Sequence, residues 1–323
     1  MPMKNQLNQL GKEKTPFLFI IDFEVKNFYI APLNKLDNHI LFSIDGFSNV
    51  TANSHVKNFS PPPFHLKKTA ISLEKYTIAF NHVIKEMIAG NTYLLNLTFP
   101  TEIEVNAPLL NIFLASHAKF RLYFKNKFVT FSPERFIKIE QNLIKTYPMK
   151  GTINAFIPNA PAKILADEKE KAEHTMAVDL LRNDLSIVAK KVRVNKFRYI
   201  EKIKAGPKEL LQVSSEIAGV LEKSWHEKIG DILLSLLPAG SISGAPKRKT
   251  VEIINAVEGY KRGFFTGVFG YFDGHKLDSG VMIRFIERND DKLIYKSGGG
   301  ITIDSNVIHE YEEMLEKVYI PTT

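Results

Sequence analysis

Residues 120–147, FRLYFKNKFVTFSPERFIKIEQNLIKTY, contain the clearest fold signal in this chain. Short runs rich in aromatic and β-branched residues alternate there with Lys-Asn and Gln-Asn pairs, which favour tight turns. The pattern predicts an antiparallel meander of four strands: Phe120–Phe124, Lys127–Phe131, Arg135–Glu140 and Leu143–Tyr147.

The flanking sequence adds helices and further strands. Helical spacing predicts helices at Leu73–Ala89, Lys163–Ala189, His226–Leu237, Pro246–Val257 and Asn306–Val318. Further strands are predicted at Thr92–Phe99, Lys191–Lys204, Leu210–Leu221, Phe264–Phe272 and Lys276–Glu287. Because the strict strand–helix alternation of a parallel sheet is missing, the order of elements predicts the α+β class.

One linker signal divides the chain. Ser60-Pro61-Pro62-Pro63 separates a short strand-rich segment, residues 1–63, from the remainder. We expect residues 64–323 to form one compact catalytic domain, to which the N-terminal segment contributes strands.

Composition excludes several functions. The 323 residues include no cysteine, so the chain has no disulfide, thiolate metal site or cysteine nucleophile.

The formal charge is +8, but the lysines are dispersed and no helix-turn-helix or finger pattern is present. A generally basic surface or a small polyanionic substrate accounts for that charge without a nucleic-acid partner. Apolar runs are too short to span a membrane, and we expect a soluble cytoplasmic protein.

Two residues suggest acid and nucleophile chemistry. Lys150 precedes Gly151-Thr152 at the end of an apolar run, and Glu134 lies in the Ser-Pro-Glu-Arg stretch upstream. A carboxyl and an amine in these settings are candidates for a proton donor and a nitrogen nucleophile. Solvated surface residues are the alternative for each.

Two Glu-x-x-Glu pairs are candidate metal ligands. Glu170 and Glu173 share one helix face, as do Glu310 and Glu313. Brought together, the two faces would offer four hard carboxylate groups to a cation such as Mg²⁺. An ordinary solvated helix face remains the alternative for either pair.

Three further stretches contain polar groups in apolar surroundings. Asp179 to Asp184 predicts a buried polar network that fixes a helix against a sheet. The glycine loop Pro238–Lys247 suits a carboxylate or hydroxyl ligand, with a plain connecting turn as the alternative. Arg284, in an apolar strand, needs a carboxylate partner from a ligand or from the protein itself, and Ser297–Gly300 allows close backbone approach.

Taken in order, these blocks resemble the chorismate-utilising family, which includes anthranilate synthase component I, aminodeoxychorismate synthase component I, and the isochorismate and salicylate synthases. The resemblance extends from about Gly90 to Lys317. It implies two large antiparallel sheets packed as a sandwich with helices outside, and a Mg²⁺-dependent site for the dicarboxylate chorismate.

The resemblance also implies individual roles. Glu173 and Glu313 would ligate Mg²⁺, Glu170 and Glu310 would act through its waters, and Glu134 would be the general acid. Substrate contacts would come from Gly151, Thr152, Gln212, Ser243, Tyr271, Arg284, Gly299, Gly300 and Lys317. Gln212 replaces a family histidine, so an amide would take over any role of that imidazole.

Two positions indicate which family reaction to expect. Lys150 stands where anthranilate synthases usually have alanine, and Leu94 stands where isochorismate-type enzymes need a water-activating lysine. Both point to amination of chorismate at C4, giving 4-amino-4-deoxychorismate for 4-aminobenzoate and folate synthesis. Lys150 would be the covalent nucleophile, with a pKa lowered by its pocket.

The expected partner follows from the missing cysteine. Ammonia would come from solution or from a separate glutamine amidotransferase subunit. Anthranilate synthase component I and a catalytically idle chorismate- or subunit-binding partner remain alternatives. The N-terminal region is shorter than in most of the family, which makes inhibition by tryptophan improbable.

Overall fold

The computed structural model describes residues 2–50, 63–205 and 208–322. Its strands are β1 (Phe17–Ile21), β2 (Phe28–Pro32), β3 (Ile40–Ile44), β4 (Phe47–Ser48), β5 (Leu66–Thr69), β6 (Leu94–Val105), β7 (Phe120–Phe124), β8 (Phe128–Ser132), β9 (Arg135–Glu140), β10 (Leu143–Thr146), β11 (Met149–Asn154), β12 (Lys190–Ala205), β13 (Lys208–Val220), β14 (Gly244–Ala245), β15 (Val268–Phe272), β16 (Leu277–Val281), β17 (Phe285–Asn289) and β18 (Lys292–Ile301). Its α-helices are α1 (Pro2–Lys12), α2 (Leu73–Ile88), α3 (Leu109–Ala115), α4 (Ala160–Ala166), α5 (Glu168–Val188), α6 (Ile229–Leu236), α7 (Gly240–Ser243), α8 (Lys247–Val257) and α9 (Val307–Glu316).

The strands form two nine-stranded antiparallel sheets. The first sheet has the order β11-β13-β10-β9-β16-β15-β1-β2, with β12 also paired to β13. The second has the order β14-β6-β18-β17-β8-β7-β3-β4, with β5 also paired to β6. Two large antiparallel sheets with helices confirm the predicted α+β class.

The interior explains why β1 is apolar at every position. All five residues of β1 are fully buried. Leu18 and Ile20 join a cluster with Phe42, Phe120 and Phe269, which packs the two sheets together. The alternate β1 side chains join a second cluster on the other face, where helices α1, α2, α6 and α8 pack. A strand buried on both faces has no polar alternation for a sequence pattern to detect.

The predicted meander has the right strands but the wrong connectivity. β7 and β8 pair in the second sheet, whereas β9 and β10 pair in the first. The chain crosses between sheets at Pro133-Glu134. A second crossover interrupts the strand expected at Lys276–Glu287, because β16 belongs to the first sheet and β17 to the second. Arg284 lies at that break, not within a strand.

Other differences are local. Helix α1 went unpredicted, although Met3, Leu7 and Gly11 face the core at helical spacing. Strand β6 extends six residues beyond the predicted end at Phe99, and residues 264–267 precede strand β15.

The N-terminal segment contributes to both sheets. β1 and β2 belong to the first sheet, and β3 and β4 to the second. Of the predicted Ser60–Pro63 linker, only Pro63 is among the described residues. No helix in the described part of the chain is long and apolar enough to cross a membrane.

The inter-sheet packing makes a stability prediction. Phe269 is fully buried in β15 between the sheets. Phe269→Ala should lower the free energy of unfolding by about 3–5 kcal/mol, because the removed ring leaves a cavity. Phe156→Ala is the matched control: its side chain is 71% exposed, and its substitution should change stability by less than about 0.5 kcal/mol. Denaturant unfolding measures both, and equal effects would contradict this packing.

Candidate active site

A cavity of about 440 Å³ lies beside the two crossovers. Strands β6, β11, β13 and β18, helices α5 and α7, and the C-terminal end of α9 contribute to its walls. Twelve of the fifteen residues assigned to the site from sequence line it: Glu134, Lys150, Gly151, Thr152, Glu170, Glu173, Gln212, Arg284, Gly299, Gly300, Glu313 and Lys317.

The remaining three lie outside the lining. Tyr271 packs between the sheets, stacked on Phe47 with ring centroids 4.1 Å apart, because alternation along β15 turns it away from the cavity. The Ser243 hydroxyl donates to the Ala239 carbonyl, as the first turn of α7 requires, and Ser241 faces the cavity instead. Neither side chain lines this cavity, and both substrate-contact assignments stay predictions. The Glu310 carboxylate accepts a hydrogen bond from Ser305 and lies behind the lining.

An irregularity in β11 orients Lys150 and Gly151. The pairing of β11 with β13 shifts register between Met149 and Thr152. Gly151 has a φ of +83°, a left-handed conformation that glycine adopts without strain. A Cβ at this position would lie 3.0 Å from Glu170 Oε2. Glycine is required here both by conformation and by the adjacent carboxylate.

Lys150 makes the central ion pair of the cavity. Its Nζ lies 2.7 Å from Glu173 Oε2. Burial pulls the pKa of Lys150 down, but Glu173, with the charges of Glu313 and Glu170, outweighs burial and raises the pKa above its ordinary value. The predicted lowering is therefore wrong for this arrangement. The ion pair keeps the amine protonated until Glu173 releases it.

A second ion pair lies across the cavity. Lys317 Nζ is 2.5 Å from Glu313 Oε1 and also donates to the Gly298 carbonyl. Burial would raise the pKa of Glu313, but Lys317 outweighs it and lowers the pKa. Burial raises the pKa values of Glu170 and Glu310. Glu313 is therefore more readily ionised than Glu170 and Glu310.

Backbone hydrogen bonds at the two crossovers fix the positions of Glu134 and Arg284. The Glu134 carbonyl accepts a hydrogen bond from Val281 N at 3.1 Å, and the Arg284 carbonyl accepts one from Phe131 N at 3.2 Å. Arg284 adopts a φ of +53°, unusual for a side chain of this size and typical of functional sites. Burial raises the pKa of Glu134 despite a Ser241 hydroxyl and the charges of Arg284 and Lys317. A raised pKa suits the proton-donor role expected of this carboxyl.

Three lining residues carry a buried polar atom without a protein partner. They are Glu170 Oε2, Gln212 Oε1 and Arg284 Nε. Buried polar atoms are almost always hydrogen-bonded in proteins, so such a concentration in one cavity indicates a polar ligand. No carboxylate of the described residues forms a salt bridge with Arg284, which removes the intramolecular pairing considered for it.

Helix α5 supplies a wall that sequence reasoning missed. Met176, Ala177, Leu180 and Leu181 line the cavity beside Glu173. These four residues lie at helical spacing from Glu173, so the sequence already indicated that they share its helix face. An apolar wall opposite charged groups suits a small ring that bears carboxylates.

His174 lies behind the cavity and is linked through Ser215 to the strand that carries Lys150. Its Nε2 lies 2.7 Å from Ser215 Oγ, which accepts from the Arg198 amide. Ser215 N donates to the Pro148 carbonyl next to the β11 irregularity. Burial, with the charge of Arg198, lowers the pKa of His174 to about 4, so the ring is neutral.

The predicted polar network of α5 is only partly present. Asp184 is buried and accepts from Lys247 Nζ at 3.0 Å, which ties α5 to α8. Asp179, Arg182 and Asn183 are exposed and bond to one another. The predicted glycine loop forms the short helix α7 and strand β14, and Ser297–Gly300 forms part of β18 paired to β6.

The donor chemistry fits Mg²⁺, although no ready-made cage is present. Within the ranges that the structure describes, no three acidic, histidine or cysteine side chains are grouped closely enough to hold a metal ion. Yet Glu170, Glu173 and Glu313 line one cavity, and Glu170 Oε2 is unpartnered. Carboxylate oxygens are the ligands that Mg²⁺ prefers.

Sequence comparison defines the class of this protein. Residues 30–323 match the family described as chorismate binding enzyme, and the chain belongs to that family. It is 50% identical over 317 residues to an uncharacterized PabA-like protein of Pasteurella multocida, covering 98% of this chain and 97% of that protein. It is 37% identical over 196 residues to aminodeoxychorismate synthase component 1 of Bacillus subtilis, covering 58% of this chain and 40% of that protein.

Solved structures share the fold. The anthranilate synthase component I of Streptococcus pneumoniae is 24% identical, with a TM-score of 0.69, over 81% of this chain and 60% of that one. The menaquinone-specific isochorismate synthase of Escherichia coli is 18% identical, with a TM-score of 0.72, over 97% of this chain and 79% of that one. The predicted fold and family are confirmed.

The Gly151 contact makes a prediction specific to the site. Gly151→Ala should weaken chorismate binding at least about ten-fold, because the added methyl group displaces Glu170 and strains the backbone beside Lys150. Gly46→Ala is the matched control: its φ is +92°, but a Cβ there meets nothing within 4 Å. Both variants should lose roughly 1–2 kcal/mol of stability through the left-handed backbone. Calorimetric titration separates the effects, and equal affinities would contradict the assigned contact.

Proposed function

We propose that this protein catalyses the Mg²⁺-dependent amination of chorismate at C4, giving 4-amino-4-deoxychorismate for 4-aminobenzoate and folate synthesis. The observation that carries the proposal is the presence in one cavity of the Lys150 amine and the Glu134 carboxyl, with Arg284 beside them. Ammonia would be supplied by a separate glutamine amidotransferase subunit, since the chain contains no cysteine. This role would belong to the cytoplasm.

Substrate binding would use the groups that have no protein partner. Arg284 offers a planar guanidinium that matches a carboxylate, and its Nε is free for such a contact. The unpartnered amide oxygen of Gln212 can accept from a substrate hydroxyl. The apolar wall of α5 would pack against the ring. These contacts suit chorismate, a ring with two carboxylates and one hydroxyl.

Lys150 and Glu134 would divide the chemistry. The neutral Lys150 amine would form a bond to C2, both ring double bonds would shift, and the bond from C4 to its hydroxyl would break. Glu134 would give its proton to the departing oxygen, which leaves as water. Ammonia would then add at C4, both double bonds would return to their original positions, and the bond between C2 and Lys150 would break. The new ammonium group at C4 would return a proton to Glu134. The raised pKa of Glu134 supports its half of this scheme.

The acidic residues would hold the metal ion. We assign Glu173 and Glu313 as direct Mg²⁺ ligands and Glu170 and Glu310 as ligands of its waters, in keeping with the oxygen chemistry of the cavity. A bound Mg²⁺ would neutralise and orient a substrate carboxylate. Glu310, which lies behind the lining, is suited to the indirect role because its carboxylate is already held by Ser305.

Anthranilate synthase component I is the second candidate. The chain is 36% identical over 200 residues to that enzyme of Aquifex aeolicus, covering 59% of this chain and 39% of that protein. Lys150 favours amination at C4. If ammonia attacked C2 directly, the reaction would need no amine nucleophile from the protein. Leu94 lines the cavity and cannot activate water, which argues against an isochorismate product.

Product analysis tests the proposal against its rivals. The purified chain, incubated with chorismate, Mg²⁺ and an ammonium salt, should yield 4-amino-4-deoxychorismate, detected as 4-aminobenzoate after addition of a lyase. Anthranilate fluorescence without lyase would identify the second candidate. Chorismate left unchanged would favour a catalytically idle binding partner, and Mg²⁺ omission tests the metal requirement.

The covalent step has its own test. With chorismate and Mg²⁺ but no ammonia, intact-protein mass spectrometry should detect an adduct that maps to Lys150. Lys150→Ala should lose this adduct and reduce turnover by at least about a hundred-fold, the usual range for a removed nucleophile or base. Lys171→Ala removes an exposed lysine of the same helix as Glu173 and serves as control. Turnover by Lys150→Ala at the parent rate would exclude covalent catalysis by this lysine.

A further inference from the structure

Lys150 occupies the position of a counter-ion among the predicted metal ligands. Its Nζ contacts Glu173 directly at 2.7 Å. Its charge also acts on Glu170, Glu310 and Glu313. One ammonium group therefore balances, in part, all four carboxylates that were assigned to Mg²⁺.

This ion pair occupies one carboxylate oxygen of a residue that would hold the metal ion. Glu173 Oε2 is taken by Lys150, while its Oε1 faces the exposed Lys169 at 3.8 Å. In the described residues the carboxylates are not grouped closely enough to hold a metal ion. Neighbouring carboxylates repel one another, and Lys150 is the cation in direct contact with Glu173 at 2.7 Å.

The two neighbouring lysines differ in how firmly they are held. Lys150 comes from β11, and its side chain is 35% exposed, whereas that of Lys169 is 65% exposed. Lys169 is also four residues from Glu173 on the same helix, so its pairing is of the weak surface type. Displacing Lys169 changes little, whereas displacing Lys150 requires a competing cation.

We propose that Lys150 and the divalent cation compete for Glu173, so that metal binding and release of the catalytic lysine are a single event. This inference rests on the proposed Mg²⁺ site and deepens it. It assigns Lys150 a second role as the counter-ion of Glu173. Metal loading then frees the amine for the substrate, and loss of metal returns it to Glu173.

Metal binding without substrate tests the competition. MgCl₂ is titrated calorimetrically into the full chain, without chorismate or ammonia, and Mn²⁺ binding is followed in parallel by electron paramagnetic resonance. Lys150→Met, which keeps the length but removes the charge, should bind each metal at least about ten-fold tighter than the parent. Lys150→Arg, which keeps the charge, should remain within about three-fold of the parent. Lys169→Met is the matched control and should also remain within about three-fold.

A double-mutant cycle identifies the contested ligand. In a Glu173→Gln background, Lys150→Met should tighten metal binding much less than it does in the parent, because the carboxylate in direct contact with the lysine is gone. Circular dichroism checks that each variant retains the fold.

Three results would overturn the inference. They are a Lys150→Met variant that binds metal no tighter than Lys169→Met, tightening that is as large without Glu173 as with it, and absence of metal binding in both parent and Lys150→Met. The two proposals can fail separately. If the variants show the expected competition but chorismate stays unchanged in the turnover assay, the proposed reaction is contradicted and the competition is still supported.

Discussion

Two adjacent backbone hydrogen bonds between the crossovers are the constraint on which the site depends. Val281 N donates to the Glu134 carbonyl, and Phe131 N donates to the Arg284 carbonyl. Val281 lies in β16 and Phe131 in β8, so each hydrogen bond ties a crossover residue to the strand that borders the other crossover. The consequence is that a carboxyl and a guanidinium project side by side into the gap where the sheets part. Strands packed on both faces make that geometry rigid.

Electrostatic balance shapes the rest of the cavity. The carboxylates of Glu173 and Glu313 are each paired with a lysine: Lys150 comes from β11, whereas Lys317 follows Glu313 by four residues at the end of α9. Pairing allows partly buried charges to persist where isolated ones would lose their protons. Glu134, which has a hydroxyl and two more distant cations, instead has a raised pKa. One cavity thereby holds two carboxylates in ion pairs and a third carboxyl whose pKa is raised by burial.

The sequence predicted most elements and most of the site, but not how they connect. Short apolar runs located β7 to β10, because strand propensity and turn residues are local properties. The division of those strands between two sheets is a long-range property, since β8 pairs with β17 and β9 with β16. The position of Tyr271 is also a long-range property: its expected role came from a resemblance, and alternation along β15 directs its side chain between the sheets. The sequence correctly predicted that Asp184 is buried in a polar network. It also predicted burial of Asp179, which is exposed, because exposure depends on which elements pack over α5.

The polar atoms of the cavity that lack a hydrogen-bond partner reduce the stability of the fold. A buried acceptor or donor without a hydrogen bond costs about 1–3 kcal/mol, and Glu170, Gln212 and Arg284 each contribute one such atom. Arg284 adds a left-handed backbone to this. A core of aromatic clusters between the sheets offsets these losses, and the strained groups lie at the crossovers, where ladder pairing ends. The site is thus least stable where a ligand can restore the missing contacts, which is the condition for selective binding of a small polar ring.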